Sequence, residues 1–185
     1  MIIVRPGTAA DIDGVAALEA GPDTAGWLGE TGRSWHMRVL ADAGAEHLVA
    51  TGQPADDATG QATGHDSDIA GFAVLAGLHR PDHIIELRRM VIAAERRGTG
   101  LGRRLLRAAV ARAYEHHAAR QVWLDVKDDN VRAHALYESE GFVVDRTPAG
   151  APVAVESGGR RFIIMVHDGD GIAATQPPQP AGSAD

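Results

Sequence analysis

The chain has no cysteine, which excludes disulfides, a thiol nucleophile, cysteine-held zinc and iron–sulfur clusters together. Any covalent catalysis must run through another residue. Basic charge is in deficit: 18 Lys and Arg stand against 25 Asp and Glu, for a formal net charge of −7. A nucleic-acid binder needs a basic face for phosphates, whereas a cationic partner is easier to accommodate. Lys127 is the only lysine, a bias that genomic base composition explains and that carries no functional argument. Long apolar runs are missing too. The longest, Ile69 to Leu78, covers ten residues, about half of what a membrane helix needs. The start, Met1 to Pro6, lacks a basic n-region followed by a long apolar stretch. These absences predict a cytoplasmic protein with no nucleic-acid and no membrane partner.

What is present is ordinary for a globular chain: 185 residues, 44% hydrophobic and 23% charged, enough for one core. Residues 1–167 are expected to form a single domain. The Pro/Gly/Ala-rich stretch 168–185 is expected to be a disordered tail.

Along the chain, Ile2 to Arg5 reads as a strand ended by Pro6-Gly7, and Thr8 as the N-cap of a helix reaching about Ala20. A second helix is expected from about Gly32 to Asp42, and strands at Glu46–Thr51 and Ile69–Leu75. Between the strands, 52–68 has no apolar periodicity and reads as an exposed hairpin connection. Ile84–Ile92 is a longer strand, followed by a glycine-rich turn and a helix from about Gly102 to Ala118, with Leu105, Leu106, Ala109, Val110 and Ala113 on one face. Gln121–Val126 reads as a buried strand, and Asn130 to Glu140 as a helix stopped by Gly141. Phe142–Asp145 and Arg161–Val166 read as final strands around a loop over 147–159. The order β-α-α-β-β-β-α-β-α-β-β predicts an α/β domain with a mixed sheet and helices on both faces.

The chemistry concentrates in Arg97-Gly98-Thr99-Gly100-Leu101-Gly102, between the Met90-Val91-Ile92 strand and the helix of Leu105. Glycines let a ligand approach the backbone, and a helix N-terminus offers free N–H groups and a positive dipole end suited to a pyrophosphate. Arg103 and Arg104 oppose the dipole but suit phosphates. A Walker loop would end in Gly-Lys-Ser/Thr, and here Gly102 is followed by Arg103-Arg104. A dinucleotide fingerprint needs Gly or Ala where Arg103 stands. Asp125 lies at a suitable distance for that fingerprint's acidic residue, yet the loop follows antiparallel strands midway along the chain, so a nucleotide-binding oxidoreductase stays the weaker rival.

The loop also fits Gln/Arg-x-x-Gly-x-Gly/Ala through Arg97, Gly100 and Gly102. A second signature, Asn130-x-x-Ala133-x-x-Leu136-Tyr137-x-x-x-Gly141-Phe142, follows about thirty residues later. The pair resembles the GCN5-related N-acetyltransferase (GNAT) superfamily, and the element order agrees with it from residue 1 to about 167. One departure is Ala93-Ala94, where many members carry proline, which loosens the turn before the loop.

The resemblance implies an acyl-CoA N-acyltransferase fold whose central parallel strands, Leu87–Ile92 and Val122–Val126, splay apart. It implies acetyl-CoA as co-substrate, held by the backbone of Met90, Val91 and Ile92 at the pantetheine, by Gly98 to Arg103 at the pyrophosphate, and by Asn130, which would also serve as a plain helix N-cap. The acceptor is a primary amine of a small molecule or protein, and a homodimer is among the partners it allows. Glu86, eleven residues before Arg97, occupies the place of the catalytic glutamate of histone-type members. An alkylamine with a pKa of roughly 10 needs such a base. Its ordinary alternative is an exposed carboxylate paired with Arg88. Tyr137 matches the tyrosine near the departing sulfur, with a core-packing role as the alternative. A catalytically idle acyl-CoA-binding sensor would share the same loop.

Nine histidines invite a metal, but no His-Glu-x-x-His spacing occurs and His116-His117 are adjacent, so no metal site is expected. Trp27, Trp35 and His36 lie in the segment that borders the acceptor cleft in the resembling family, with core packing the better reading for the tryptophans. Asp168-Gly169-Asp170-Gly171 lacks the remaining ligands of a calcium loop.

Overall fold

A central strand with apolar residues on both faces must be covered twice, and β3 (Ile69–Ala76) is buried at all eight positions. In the computed structural model, which describes residues 2–25, 28–52, 69–147 and 152–169, β3 lies inside a mixed sheet. Its companions are β1 (Ile2–Pro6), β2 (Ala45–Gly52), β4 (Ile84–Ile92), β5 (Gln121–Lys127), β6 (Val143–Val144), β7 (Ala154–Ser157) and β8 (Arg160–Asp168). The order is β1-β2-β3-β4-β5-β8-β6, with β7 also paired to β8. All pairings are antiparallel except β4 with β5.

The connection between those parallel strands is α4 (Leu101–His117), whose Leu105, Leu106, Ala109, Val110 and Ala113 are buried on one face of the sheet. α5 (Val131–Ser139) packs Ala133, Leu136 and Tyr137 on the same core. The opposite face of β2 to β4 is covered by α1 (Ile12–Glu19) and α3 (Arg33–Ala41), through Val15 and Val39 against Val49, Phe72, Val74 and Val91.

Most expected elements stand within a residue or two of their sequence-read bounds. Three details differ. The turn after Thr8 is a 3-10 turn, Ala9–Asp11, because the Asp11 carboxylate accepts from the Thr8 amide and hydroxyl and closes it locally. The single turn α2 (Pro22–Ala25) stands apart from α1. The expected loop 147–159 contains β7, which turns into β8 through Gly158 and Gly159, both at positive φ, a two-residue hairpin turn that only such residues adopt easily. The connection read over 52–68 falls, from residue 53, outside the described residues, as do Trp27 and 170–185.

Candidate active site

Strands β4 and β5 pair only at Ile84–Gln121, Ile85–Val122 and Glu86–Trp123. From Leu87 onward, the β4 edge that faces β5 carries no strand partner. The neighbouring ladder is irregular at the same height: Val74 faces Arg89 while Leu75 faces Leu87, so Arg88 is the extra residue of a bulge, a feature that bends and twists a strand. The parted strands leave a gap whose inner wall is Met90, Val91 and Ile92.

At the end of that wall sits the glycine turn. Gly98 and Gly100 have φ of +79° and +84°, and a Cβ at either would meet nothing within 4 Å. Glycine is present for the backbone conformation, and the space above it is open to a ligand. Gly100 is the N-cap of α4, and the first amide engaged by the helix is that of Arg104, which donates to Gly100 O. The Leu101, Gly102 and Arg103 amides are therefore free of the helix ladder and cluster at its positive end.

A cavity of about 720 Å³ runs along this gap. Met90, Val91, Ile92, Arg97, Gly98, Gly100, Gly102, Arg103, Asn130 and Tyr137 all line it. Thr99 and Leu101 do not: the Thr99 hydroxyl donates to Arg96 O, and Leu101 is buried in the core under α4. Arg97 braces the turn, with Nε toward Ile92 O at 3.3 Å and Nη2 to Thr24 Oγ1 at 3.1 Å. Arg103 leans toward α5, pairing with Glu140 at 2.7 Å and donating to Ser139 Oγ. Asn130 is the N-cap of α5, its side chain accepting from the Ala133 amide at 3.2 Å.

Of the two residues expected to handle protons, Tyr137 lines the cavity, whereas Glu86, on the last rung that pairs β4 with β5, does not. Glu86 accepts from Arg88 Nε at 3.0 Å and Nη2 at 2.8 Å, both at Oε2. Tyr137 borders the cavity against Phe142. Burial, and then the Asp125 charge, push its hydroxyl up to about 12, so it stays protonated across the neutral range. Asp125 itself is raised, first by desolvation and then by Glu86.

Sequence reasoning weighed Asp125 only against a dinucleotide fingerprint; it stands on β5 just past the last rung paired with β4 and does not line the cavity. Its alternation with the buried Val122, Leu124 and Val126 puts Asp125 on the other face of β5. Thr24 and Arg132, which do line the cavity, carried no signal.

Trp35 and His36 belong to a buried ionic cluster. Glu19 accepts from Arg89 Nη1 at 2.6 Å and from the Gly32 amide at 3.1 Å. Arg89 lies 3.8 Å from the Trp35 ring centroid. His36 Nδ1 shares a 2.9 Å hydrogen bond with His47 Nε2. His36 Nε2 is 2.9 Å from Glu19 Oε2, close enough for an ion pair but off the line of a hydrogen bond, and His47 Nδ1 is buried without a partner among the described residues. Burial works to raise the Glu19 carboxyl, but His36, Gly32 and Arg89 together hold it below its ordinary value. Burial lowers His47 to about 4. Among the described residues, no group of three or more His, Asp or Glu is placed to hold a metal ion, and no helix is long and apolar enough to cross a membrane.

Among known proteins, residues 27–142 match the model of the Acetyltransferase (GNAT) family. A curated relative, streptothricin acetyltransferase of Streptomyces lavendulae, is 36% identical over 93 residues, which is 50% of this chain and 48% of that protein. The chain thus matches about half the length of that relative. A chimera of spermidine N-acetyltransferase SpeG from Vibrio cholerae and hSSAT superposes with a TM-score of 0.70 at 17% identity, covering 94% of this chain and 99% of the other. The ribosomal-protein-S18-alanine N-acetyltransferase of Escherichia coli gives 0.64 at 18% identity, over 91% and 94%. These structural likenesses show a shared fold. With more than half of its residues matched by the family model, and with both signatures on the elements that form the gap, the chain belongs to the Acetyltransferase (GNAT) family.

Proposed function

We propose that the protein is an acetyl-CoA-dependent N-acetyltransferase that moves an acetyl group directly to a primary amine. The observation that carries this reading is the parting of β4 from β5 beside three free amides at the start of α4. The glycine turn and Arg103 suit a pyrophosphate, and the unpaired β4 edge at Met90, Val91 and Ile92 suits a pantetheine arm, with Asn130 across the cleft. The domain of this activity is read as 1–167.

Transfer needs a free amine, a polarised thioester and a stabilised thiolate. Glu86 is the base: Arg88 occupies Oε2, and Oε1 remains for the amine proton or a water that relays it. A backbone N–H of the β4 edge polarises the thioester oxygen, where charge grows as nitrogen attacks. Tyr137 faces the sulfur as a hydrogen-bond donor. A thiol has a pKa of about 8.5, so complete proton transfer from a phenol at about 12 runs uphill by about 5 kcal/mol. The Tyr137 role is therefore to bond the thiolate as it forms, with solvent completing its protonation.

A catalytically idle acyl-CoA sensor is the second reading, favoured by the Glu86–Arg88 pair, which ties up half of the proposed base. Purified protein mixed with acetyl-CoA and a panel of amines separates the two. Amine-stimulated release of free thiol supports the enzyme. Acetyl-CoA binding without stimulated release by any amine supports the sensor.

A further inference from the structure

α5 begins beyond the end of α4 at which the free amides cluster. Its C-terminal end is fixed beside the first turns of α4: Ser139 and Glu140 hold Arg103, and Glu140 also takes Arg107. One turn earlier, Leu136 lies 3.6 Å from where a Cβ on Gly102 would be. At roughly 1.5 Å per residue, Arg132 stands about 6 Å further back along the same face of α5. That brings the first turn of α5 beside Gly98 and Gly100, where the space above the backbone is open. Val131 and Arg132 accordingly line the same cavity as the glycine turn.

Neither residue is accounted for by the helix it starts. A cation in the first turn opposes the helix dipole, and α5 has no acidic residue in that turn to answer it. Arg132 is exposed and has no hydrogen bond or ion pair among the described residues. The other arginines on the cavity wall are engaged, Arg97 with Ile92 O and Thr24, Arg103 with Glu140 and Ser139. Among the described residues, Asp129 is the one acid lining the cavity. It also lines a smaller cavity of about 280 Å³ with Lys127, Arg160 and Arg161, so cations stand beside it there. Val131 is 75% exposed, an isopropyl group left in water next to the guanidinium.

We propose that Arg132 takes the 3′-phosphate of coenzyme A, with the nucleoside resting on Val131, so that the site selects the complete coenzyme over one lacking that phosphate. This rests on the acetyl-CoA reading and adds the residues that read the nucleotide end. The free amides of α4 and Arg103 answer the diphosphate. A further guanidinium about one turn away suits a separate phosphate, and an exposed apolar side chain beside it suits the flat face of a base. Guanidinium binds phosphate through charge-assisted, bidentate hydrogen bonds. Arg132 has no ion pair to break first.

The test is calorimetric titration of the full chain with CoA and with dephospho-CoA, which differ only in the 3′-phosphate. Wild-type protein is expected to bind CoA about tenfold or more tightly than dephospho-CoA. Arg132→Gln is expected to weaken CoA by about the same factor while dephospho-CoA stays within about threefold. Arg132→Lys, which keeps the charge, is expected to restore part of the preference for CoA. Val131→Ser is expected to weaken both ligands alike, because both carry the base. Retained dephospho-CoA binding and an unchanged melting temperature separate lost recognition from lost folding. Equal wild-type affinity for the two ligands overturns the assignment and leaves the acetyl-CoA reading standing. So does an Arg132→Gln protein that weakens both alike or neither, or a Val131→Ser protein with unchanged affinities. Wild-type protein that binds neither ligand sinks both.

Discussion

Arg88 reaches back along its own strand to Glu86, with Nη2 2.8 Å from Oε2, because the bulge in β4 puts Arg88 and Arg89 on the same face. Arg89 goes under α1 and α3 to Glu19, while Arg88 stays at the gap. Two consecutive arginines thus serve two carboxylates, the buried Glu19 and the partly exposed Glu86. If Glu86 is the base, Glu86→Gln lowers kcat by about 100-fold, and steady-state kinetics beside acetyl-CoA calorimetry will show turnover falling with affinity unchanged.

Tyr137→Phe removes only the hydroxyl. The ring still packs on Phe142, so folding and acetyl-CoA affinity should hold while kcat falls by roughly tenfold or more. With the hydroxyl at about 12, Tyr137 loses its proton only near that pH. The wild-type rate profile should therefore show no descending limb from this residue below about pH 11.

The glycines of the turn are not equivalent. At Gly100, φ of +84° makes any side chain strained, by roughly 1–2 kcal/mol for alanine. A Cβ on Gly102 would meet Leu136 and Ile92 at 3.6 and 3.7 Å, ordinary contact. Gly100→Ala should weaken acetyl-CoA binding about tenfold, and Gly102→Ala should leave it within about threefold, measured by calorimetry.

Much of this site could be read from residue order. The bounds of β4, Ile84–Ile92, matched because a glycine-rich turn follows the strand, and Asn130, expected at the pantetheine with a plain N-cap as the alternative, does cap α5. β7 was missed although Gly158-Gly159 is a hairpin signal, since the weak apolar pattern of Ala154 to Ser157 hid the strand. The bulge at Arg88 depends on register with β3, and the gap on where β4 and β5 part. Those are relations between distant segments, and no local pattern encodes them. The Glu19, His36, His47 and Arg89 cluster joins four elements and left no mark in any one of them.

That cluster predicts a stability effect. Glu19→Ala would leave Arg89 buried without its carboxylate and the Gly32 amide without its acceptor. Breaking one side of a buried pair costs about 3–5 kcal/mol, which denaturant unfolding will register as a drop in midpoint with the slope retained.

Asp11 supplies an acid-dependent term. Its bonds to Arg5, at 2.6 and 2.9 Å, are the main cause of a carboxyl lowered to about 2 from 3.8. A depressed folded-state value stabilises above the unfolded pKa and is lost as pH falls through the folded one, so this contribution disappears between about pH 4 and pH 2. Asp11→Asn should cost about 2 kcal/mol at neutral pH and flatten the stability profile in that window, as thermal melts across pH will record.

Hydrogen exchange of backbone amides with and without acetyl-CoA tests the central arrangement most directly. Slowed exchange at Met90 to Ile92 and at Gly98 to Arg103, with β1 and β2 unchanged, is the predicted result. Unaltered exchange at both segments under saturating acetyl-CoA would contradict it.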